Sequence, residues 1–333
     1  MERRMLGTPG IEVSAIGLGC MGLSQGYGAA DDGESVRLIH EAVALGVTLL
    51  DTAQSYGNGH NETLIGTALR SMPVGERDAV QIATKVGIVR GADGVHLDAH
   101  PDRIAGYLDA SLHRLGVDHI DLYYLHRVDP SVPIEDSIGA MGSLVQQGKI
   151  RHLGVSEVTA QQLESAYSAH PIAALQTEWS LMWRNPERDV LPSARELGVG
   201  VVPYSPLGRG LLSGSLNHAQ IAESEFRSAD PRFAADVLLR NQRQVGVLSE
   251  IAAERGVRPA QLALAWLLAQ GPDVVPIPGT RIRDRLAENA AAAAISLTDD
   301  EVRRIDRSVS DGFAGDRRSF AAPDVTRVSP GRP

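Results

Sequence analysis

The stretch Leu49-Leu50-Asp51-Thr52-Ala53-Gln54-Ser55-Tyr56-Gly57 ends a short apolar run in a carboxylate and sets a phenol five residues further on. Neither group fills a core without a polar partner. Alone, an Asp after an apolar run is more often a turn or cap residue. Here other apolar runs end in the same manner. Residues 80–84 lead to Lys85, 120–125 lead to His126, and Ser156, Gln176 and Tyr204 follow later runs. The types are complementary. A phenol, with its ordinary pKa of about 10, is a weak acid at neutral pH. A neighbouring ammonium favours phenolate and makes Tyr56 a better proton donor. Asp51 would keep a buried Lys85 charged, and His126 could hydrogen-bond the oxygen being protonated. That set suits reduction of a carbonyl group, with hydride brought by a cofactor.

For these residues to meet, the chain must bring strand ends to one place. The spacing predicts a small hairpin in the first dozen residues, around Gly7-Thr8-Pro9-Gly10. Strands are predicted at 16–19, 47–50, 80–84, 120–125, 153–155, 173–175, 200–203 and 273–276. Helices follow at 34–45 (capped by Asp32), 62–70 (capped by Asn61), 102–115, 134–147, 160–169, 187–197, 237–255, 259–269, 283–293 and 299–308, with apolar residues at helical spacing. Strands alternating with helices imply parallel pairing through crossovers. Eight such units without a linker predict an α/β fold of one (β/α)8 TIM barrel over 1–333, with an N-terminal β-hairpin, an ordered core of 4–312 and a C-terminal helix and tail (313–333) left as loose loop. In a barrel, the C-terminal strand ends converge on one mouth, which gives Asp51, Lys85, His126, Ser156, Gln176 and Tyr204 a common address, with Tyr56 on the loop after the second strand.

Composition narrows the partners. The chain has 333 residues, 43% hydrophobic and 22% charged, with net charge −9. An acidic balance disfavours non-specific binding to nucleic acid or anionic membranes, but not a small anion held by local positive charge. Cys20 is the one cysteine, so no internal disulfide forms. No secretory h-region and no apolar run of about 20 residues is present. The expectation is a soluble, cytoplasmic protein that acts on a small molecule.

The stretches Leu50-Asp51-Thr52-Ala53 with Tyr56-Gly57, Thr84-Lys85-Val86-Gly87, Asp121-Leu122-Tyr123-Tyr124-Leu125-His126-Arg127, Gly154-Val155-Ser156, Pro203-Tyr204-Ser205-Pro206-Leu207-Gly208-Arg209-Gly210 and Ile277-Pro278-Gly279-Thr280-Arg281 occur in this order. Over nearly its whole length the chain resembles the aldo-keto reductase family. The resemblance implies a catalytic tetrad of Asp51, Tyr56, Lys85 and His126, with Tyr56 as general acid, and NADPH/NADP+ rather than a metal. It implies that Ser156 and Gln176 hold the carboxamide and that Tyr204 stacks on the nicotinamide. Ser205, Leu207, Gly208 and Arg209 resemble the pyrophosphate loop, and Gly279, Thr280, Arg281, Arg285, Glu288 and Asn289 the adenosine site. Two arginines near a helix start also suit a 2′-phosphate; alone they would read as a solvated helix face, and the preceding Pro278-Gly279-Thr280 favours NADPH over NADH. Glu157 departs from the asparagine common after the serine, and when ionised it accepts hydrogen bonds without donating them. Trp179 stands where tyrosine is common.

Gly17-Leu18-Gly19-Cys20-Met21-Gly22 matches a dinucleotide-binding fingerprint, yet no helix opens on its third glycine. We assign it to the first barrel loop, with Gly19, Cys20 and Met21 against the nicotinamide. Substrate specificity is assigned to loops 22–33, 88–100, 127–133 and 180–185 and the tail after Gly312, with Met21, Tyr27, Tyr56, His126 and Trp183 lining the pocket and His96 a further candidate. The favoured reading is reduction of an aldehyde or ketone to an alcohol. The alternative, a cofactor-binding redox-sensing regulatory subunit with little turnover, is opposed by the intact tetrad. Physiological substrate and oligomeric state are not legible in the chain.

Overall fold

The computed structural model describes residues 1–8, 10–91 and 94–317. β1 (Arg3–Gly7) and β2 (Gly10–Ser14) pair antiparallel, with Leu6 opposite Ile11. Leu6, Ile11 and Val13 pack with Leu49, Ala83, Leu122, Tyr124, Val202 and Val275, which face the barrel interior. The hairpin is therefore an apolar plug at the N-terminal end of the barrel, opposite the mouth.

Then come β3 (Leu18–Gly19), β4 (Leu49–Asp51), β5 (Gln81–Val86), an antiparallel hairpin of β6 (Ile88–Gly91) and β7 (Gly94–Leu97), and β8 (Ile120–Leu125), β9 (Ile150–Ser156), β10 (Ala174–Glu178) and β11 (Gly200–Tyr204). The seven strands other than β1, β2, β6 and β7 form one parallel sheet in the order β11-β10-β9-β8-β5-β4-β3. Strand β8 is buried at every residue, as a strand covered on both faces must be.

The eighth predicted strand, 273–276, closes the barrel without forming a regular ladder. Val275 N donates to Val201 O (2.9 Å), Ile277 N to Pro203 O (3.1 Å), and on the other side Gly17 N donates to Pro276 O (3.0 Å). Pro276 and Pro278 have no N–H to return, so pairing with β3 runs one way and Val201–Val274 remains an isolated bridge. Polar residues at strand ends thereby reach one mouth.

Most helices lie within a few residues of their predicted ranges, with several differences at their ends. Asp31, not Asp32, caps the helix Asp32–Ala44, accepting from Glu34 N at 2.8 Å. Asn61 is not a cap. It sits inside the helix His60–Ser71, fully buried, accepting from Thr52 Oγ1 (2.6 Å) and donating to Cys20 O (2.9 Å) and Ser24 Oγ (2.7 Å). It thus ties the loops after β3 and β4 together. The helix predicted from 187 begins at Val190, after a 3-10 turn Asn185–Arg188. The loop predicted at 88–100 contains the β6–β7 hairpin, whose strands of four residues each are too short to announce themselves by pattern; Ala92 and Asp93 at its tip lie outside the described residues.

The tail also differs. Asn241 donates to Ala314 O (3.0 Å) and accepts from Ala314 N (2.7 Å). Gly315 lies so close to the 231–232 backbone that a Cβ would meet Arg232 Cα at 2.9 Å. Residues 313–317 are therefore packed against the body, and the rest of the predicted loose tail lies outside the described residues.

Candidate active site

Asp51 ends β4 and Lys85 lies near the end of β5, so the parallel register points both side chains to the mouth. Lys85 is fully buried. Its Nζ donates to Asp51 Oδ1 (2.5 Å), Thr52 O (2.7 Å) and Tyr56 Oη (3.3 Å), which uses all three of its N–H groups. Gln176 Nε2 donates to the other oxygen of Asp51 at 2.7 Å. Tyr56, in a 3-10 turn after β4, presents its ring edge to His126, with centroids 5.8 Å apart. The four predicted tetrad residues thus form one cluster, and Asp51, Tyr56 and His126 line a cleft of about 870 Å³. Gln176 has a positioning contact that sequence reasoning missed.

Burial raises the Tyr56 pKa above its ordinary 10.0 despite the opposing Lys85. This corrects the expectation that Lys85 makes the phenol a stronger acid overall: Lys85 only offsets part of the burial effect, and the phenol stays protonated. Burial also opposes charge on Lys85, but Asp51 and Tyr56 more than offset it, so the ammonium is retained. His126 is driven well below its ordinary 6.5, first by burial and then by Arg127 and Lys85, so it is a neutral imidazole. Its Nδ1 is buried without a partner among the described residues.

The cleft runs past Ser156, Gln176 and Tyr204, then Ser205, Leu207 and Arg209, to Gly279, Thr280, Arg281, Arg285, Glu288 and Asn289. Its size lies in the usual range for cofactor clefts, and its donor set fits an elongated ligand with an amide at one end and phosphates at the other. Glu157, Ser205 and Arg209 are three of the four non-glycine residues with φ near +50° among the described residues. Such strain is retained where the surroundings impose it; here Ser205 and Arg209 line the cleft and Glu157 follows the lining residue Ser156. Over the cleft, Gly26 O accepts from Ser224 Oγ (2.8 Å), and Arg227 stacks 4.9 Å from the Tyr27 ring, so the loops after β3 and β11 meet as a roof.

Several assigned residues stand elsewhere than expected. Cys20 is buried in the core between strand and helices, its thiol contacting Leu18 O at 3.5 Å and its pKa pushed up by burial; it is not part of the cleft wall. Gly208 is buried behind Leu207, where its φ of +55° lets the chain turn. Trp183 lies outside the wall, beneath the Arg317 guanidinium at 5.3 Å. His96, on β7, is exposed. Arg281 spends its guanidinium on the carbonyls of Tyr27, Gly28 and Ala29, which leaves Arg285, 3.4 Å from Ser215 Oγ, as the more open cation at that end.

Beneath the mouth runs a chain of buried charges alternating in sign. Arg209 meets Asp230 (3.2 Å), Asp230 meets Arg232 (2.6 Å), Arg232 meets Glu178 (2.6 Å), and Arg317 bridges Glu178 (3.6 Å) and Glu157. Glu157 Oε1 also accepts from Thr177 Oγ1 (3.1 Å) and Glu178 N (2.9 Å), so neither carboxylate oxygen is free. Burial would raise the Glu157 pKa, but Arg317 reverses this and holds it at about 2. Arg317, Arg90 and Arg127 all line the cleft, and none was assigned a role from sequence. The only signal for the three was their position in loops and a tail assigned to specificity.

Among the described residues no helix is long and apolar enough to cross a membrane. No group of three or more His, Cys, Asp or Glu among them is arranged to hold a metal ion.

Comparison with known proteins agrees with this geometry. The chain is 42% identical over 321 residues to "Probable aldo-keto reductase 1" of Glycine max, covering 96% of this chain and 92% of that protein. The solved glycerol dehydrogenase AKR11B4 from Gluconobacter oxydans superimposes with a TM-score of 0.83 at 31% identity, over 96% of this chain and 97% of that one. The thermostable aldo-keto reductase Tm1743, solved in complex with the inhibitor epalrestat, gives a TM-score of 0.72 at 33% identity, over 92% and 100%. The model of the aldo/keto reductase family matches residues 15–310, and the chain, a carbonyl-reducing oxidoreductase by that kinship, belongs to this family.

Proposed function

We propose that this protein reduces aldehydes or ketones to alcohols, with NADPH as hydride donor and Tyr56 as general acid. The observation that carries the reading is the contact of the buried Tyr56 hydroxyl with Lys85 Nζ at 3.3 Å, on the wall of the cleft. When bound, NADPH supplies the hydride that adds to the carbonyl carbon. Tyr56 gives its proton to the carbonyl oxygen, so the C=O π bond becomes C–H and O–H. Lys85 stabilises the phenolate left behind, which recovers its proton from solvent. Asp51, held by Gln176, keeps Lys85 charged and aimed. His126, being neutral, donates from its cleft-facing side and orients the carbonyl oxygen rather than supplying the proton from an imidazolium.

Ser156 and Gln176 are suited to hold the carboxamide and Tyr204 to stack on the nicotinamide ring, with Ser205, Leu207 and Arg209 toward the pyrophosphate. Gly279, Thr280, Arg285, Glu288 and Asn289 form the adenosine end. The test follows NADPH oxidation with para-nitrobenzaldehyde in wild type and Tyr56→Phe. Removal of a general acid costs roughly 10²–10⁴-fold in turnover, with NADPH binding retained. Near-normal kcat in Tyr56→Phe refutes this assignment. Tight NADPH binding without turnover across aldehydes, ketones and quinones would favour a regulatory subunit instead.

A further inference from the structure

The acids at the mouth are all committed to partners. Asp51 is taken by Lys85 and Gln176, Glu157 by Arg317, and Glu178 by Arg232. Two arginines on the wall next to Tyr56 and His126 are not committed in this way. Arg90, on β6, donates from Nε to Ser55 O at 2.9 Å, which leaves both terminal nitrogens without a bonded partner among the described residues. Arg127 follows β8 and His126. Its Nη1 donates to His126 O (2.6 Å) and Ser156 Oγ (3.2 Å), with Nε and Nη2 left over. No described carboxylate lies within 4.0 Å of either guanidinium. Both are half-buried and line the cleft.

A protein with net charge −9 therefore carries, at its reacting end, two positive groups without a direct ion-pair partner among the described residues. The cofactor's phosphates do not account for them, since the basic groups suited to those lie toward Arg209 and Arg285. Arg90 and Arg127 reach the wall from different strands, and each is fixed through a backbone carbonyl adjoining or belonging to a tetrad residue. Their remaining N–H forks are pre-oriented, so little side-chain entropy is lost when a planar anion is gripped.

We propose that Arg90 and Arg127 form a carboxylate-binding wall, and that the preferred substrates are oxo acids, aldehydes or ketones that also carry a carboxylate. This rests on the reductase reading above. The substrate carboxylate accepts from the two guanidiniums while the carbonyl oxygen lies toward Tyr56 and His126. Reduction itself is unchanged: hydride goes to carbon, the Tyr56 proton to oxygen, and the carboxylate takes no part in bond making.

The test compares para-carboxybenzaldehyde with its methyl ester, which is close in shape but lacks the charge; its carbonyl is the more electrophilic of the two, so intrinsic reactivity works against the acid. In wild type, kcat/KM should favour the acid by roughly tenfold or more, and the preference should shrink as salt is raised. Arg90→Gln and Arg127→Gln should each reduce the acid-to-ester ratio at least threefold, and the double variant should bring it to one or below, where intrinsic reactivity alone sets it. The ratio is internal to each variant, so a general loss of activity does not imitate the effect. Equal turnover of acid and ester in wild type, or a ratio that survives in the double variant, overturns the proposal and leaves the reductase reading intact. No NADPH oxidation with either compound overturns the reductase reading, and the carboxylate wall falls with it.

Discussion

Arg317 and Glu157 are 160 residues apart in sequence and bonded at the barrel mouth, where the end of the described chain caps a carboxylate beside the candidate nicotinamide site. Arg317 also stacks over Trp183 and reaches Tyr204 Oη at 3.4 Å. One guanidinium thus ties Tyr204 of the cleft wall, Glu157 beside it and the C-terminal segment together.

Arg317→Ala should destabilise the fold by less than the roughly 3–5 kcal/mol typical of a broken buried pair, because the mouth is open enough for water to replace the guanidinium. The loss has a defined pH dependence. Glu157 titrates at about 2 when folded, against an ordinary 4.5, so its pairing stabilises the protein above pH 4.5 and that stabilisation fades between about 4.5 and 2. Urea unfolding of wild type and variant should give a constant difference at neutral pH that narrows below 4.5. A difference that grows on acidification contradicts the pairing.

Lys85 and Asp51 should be strongly coupled. Lys85→Met leaves the buried Asp51 with Gln176 as its remaining side-chain donor and should cost roughly 3–5 kcal/mol. Lys85→Met with Asp51→Asn removes both charges and should recover much of that stability while remaining inactive. A double-mutant cycle from denaturant curves measures the coupling; stability changes that simply add, within about 0.5 kcal/mol, would mean that the pair is not a unit.

The pH profile of reduction follows from the direction of two shifts. His126 lies well below 6.5 and is already neutral at pH 6.5, so no inflection should appear there. Tyr56 must carry its proton, and its pKa is raised above 10.0, so kcat should stay level through neutral pH and fall only above about 10. Single-turnover rates with NADPH in excess separate this chemistry from product release. A decline centred between 6.5 and 8 would assign the proton to another group.

The clustering of the four candidate residues was legible because each breaks a short-range rule. Asp51, Lys85 and His126 each end an apolar strand, and parallel strands deliver such ends to one mouth. The eighth strand was legible as an apolar run, but its one-sided hydrogen bonding depends on Pro276 and Pro278 in register with β3. Arg317 was not legible, since a single arginine in a polar tail carries no periodicity and its partners lie on remote strands. Cys20 was misplaced for a related reason: it sits in a stretch that resembles a cofactor loop, yet burial takes it into the core. Arg281 lines the cleft where it was assigned, but nearby backbone carbonyls, which no spacing announces, occupy its guanidinium.

That placement of Arg281 sharpens the expectation about cofactor choice. Its guanidinium ties the loop at 27–29 across the cleft, so its loss should loosen the roof and weaken both NADPH and NADH. Arg285 is half-buried at the adenosine end with one long contact to Ser215, so its charge remains available to a 2′-phosphate. A hydrogen bond to a charged group contributes about 1.5–3 kcal/mol. Arg285→Gln should therefore raise KM for NADPH by roughly tenfold or more while leaving KM for NADH nearly unchanged. Arg281→Gln should raise both together. Parallel steady-state measurements with the two cofactors check this, and an equal effect of Arg285→Gln on both would remove the 2′-phosphate from its assigned partner.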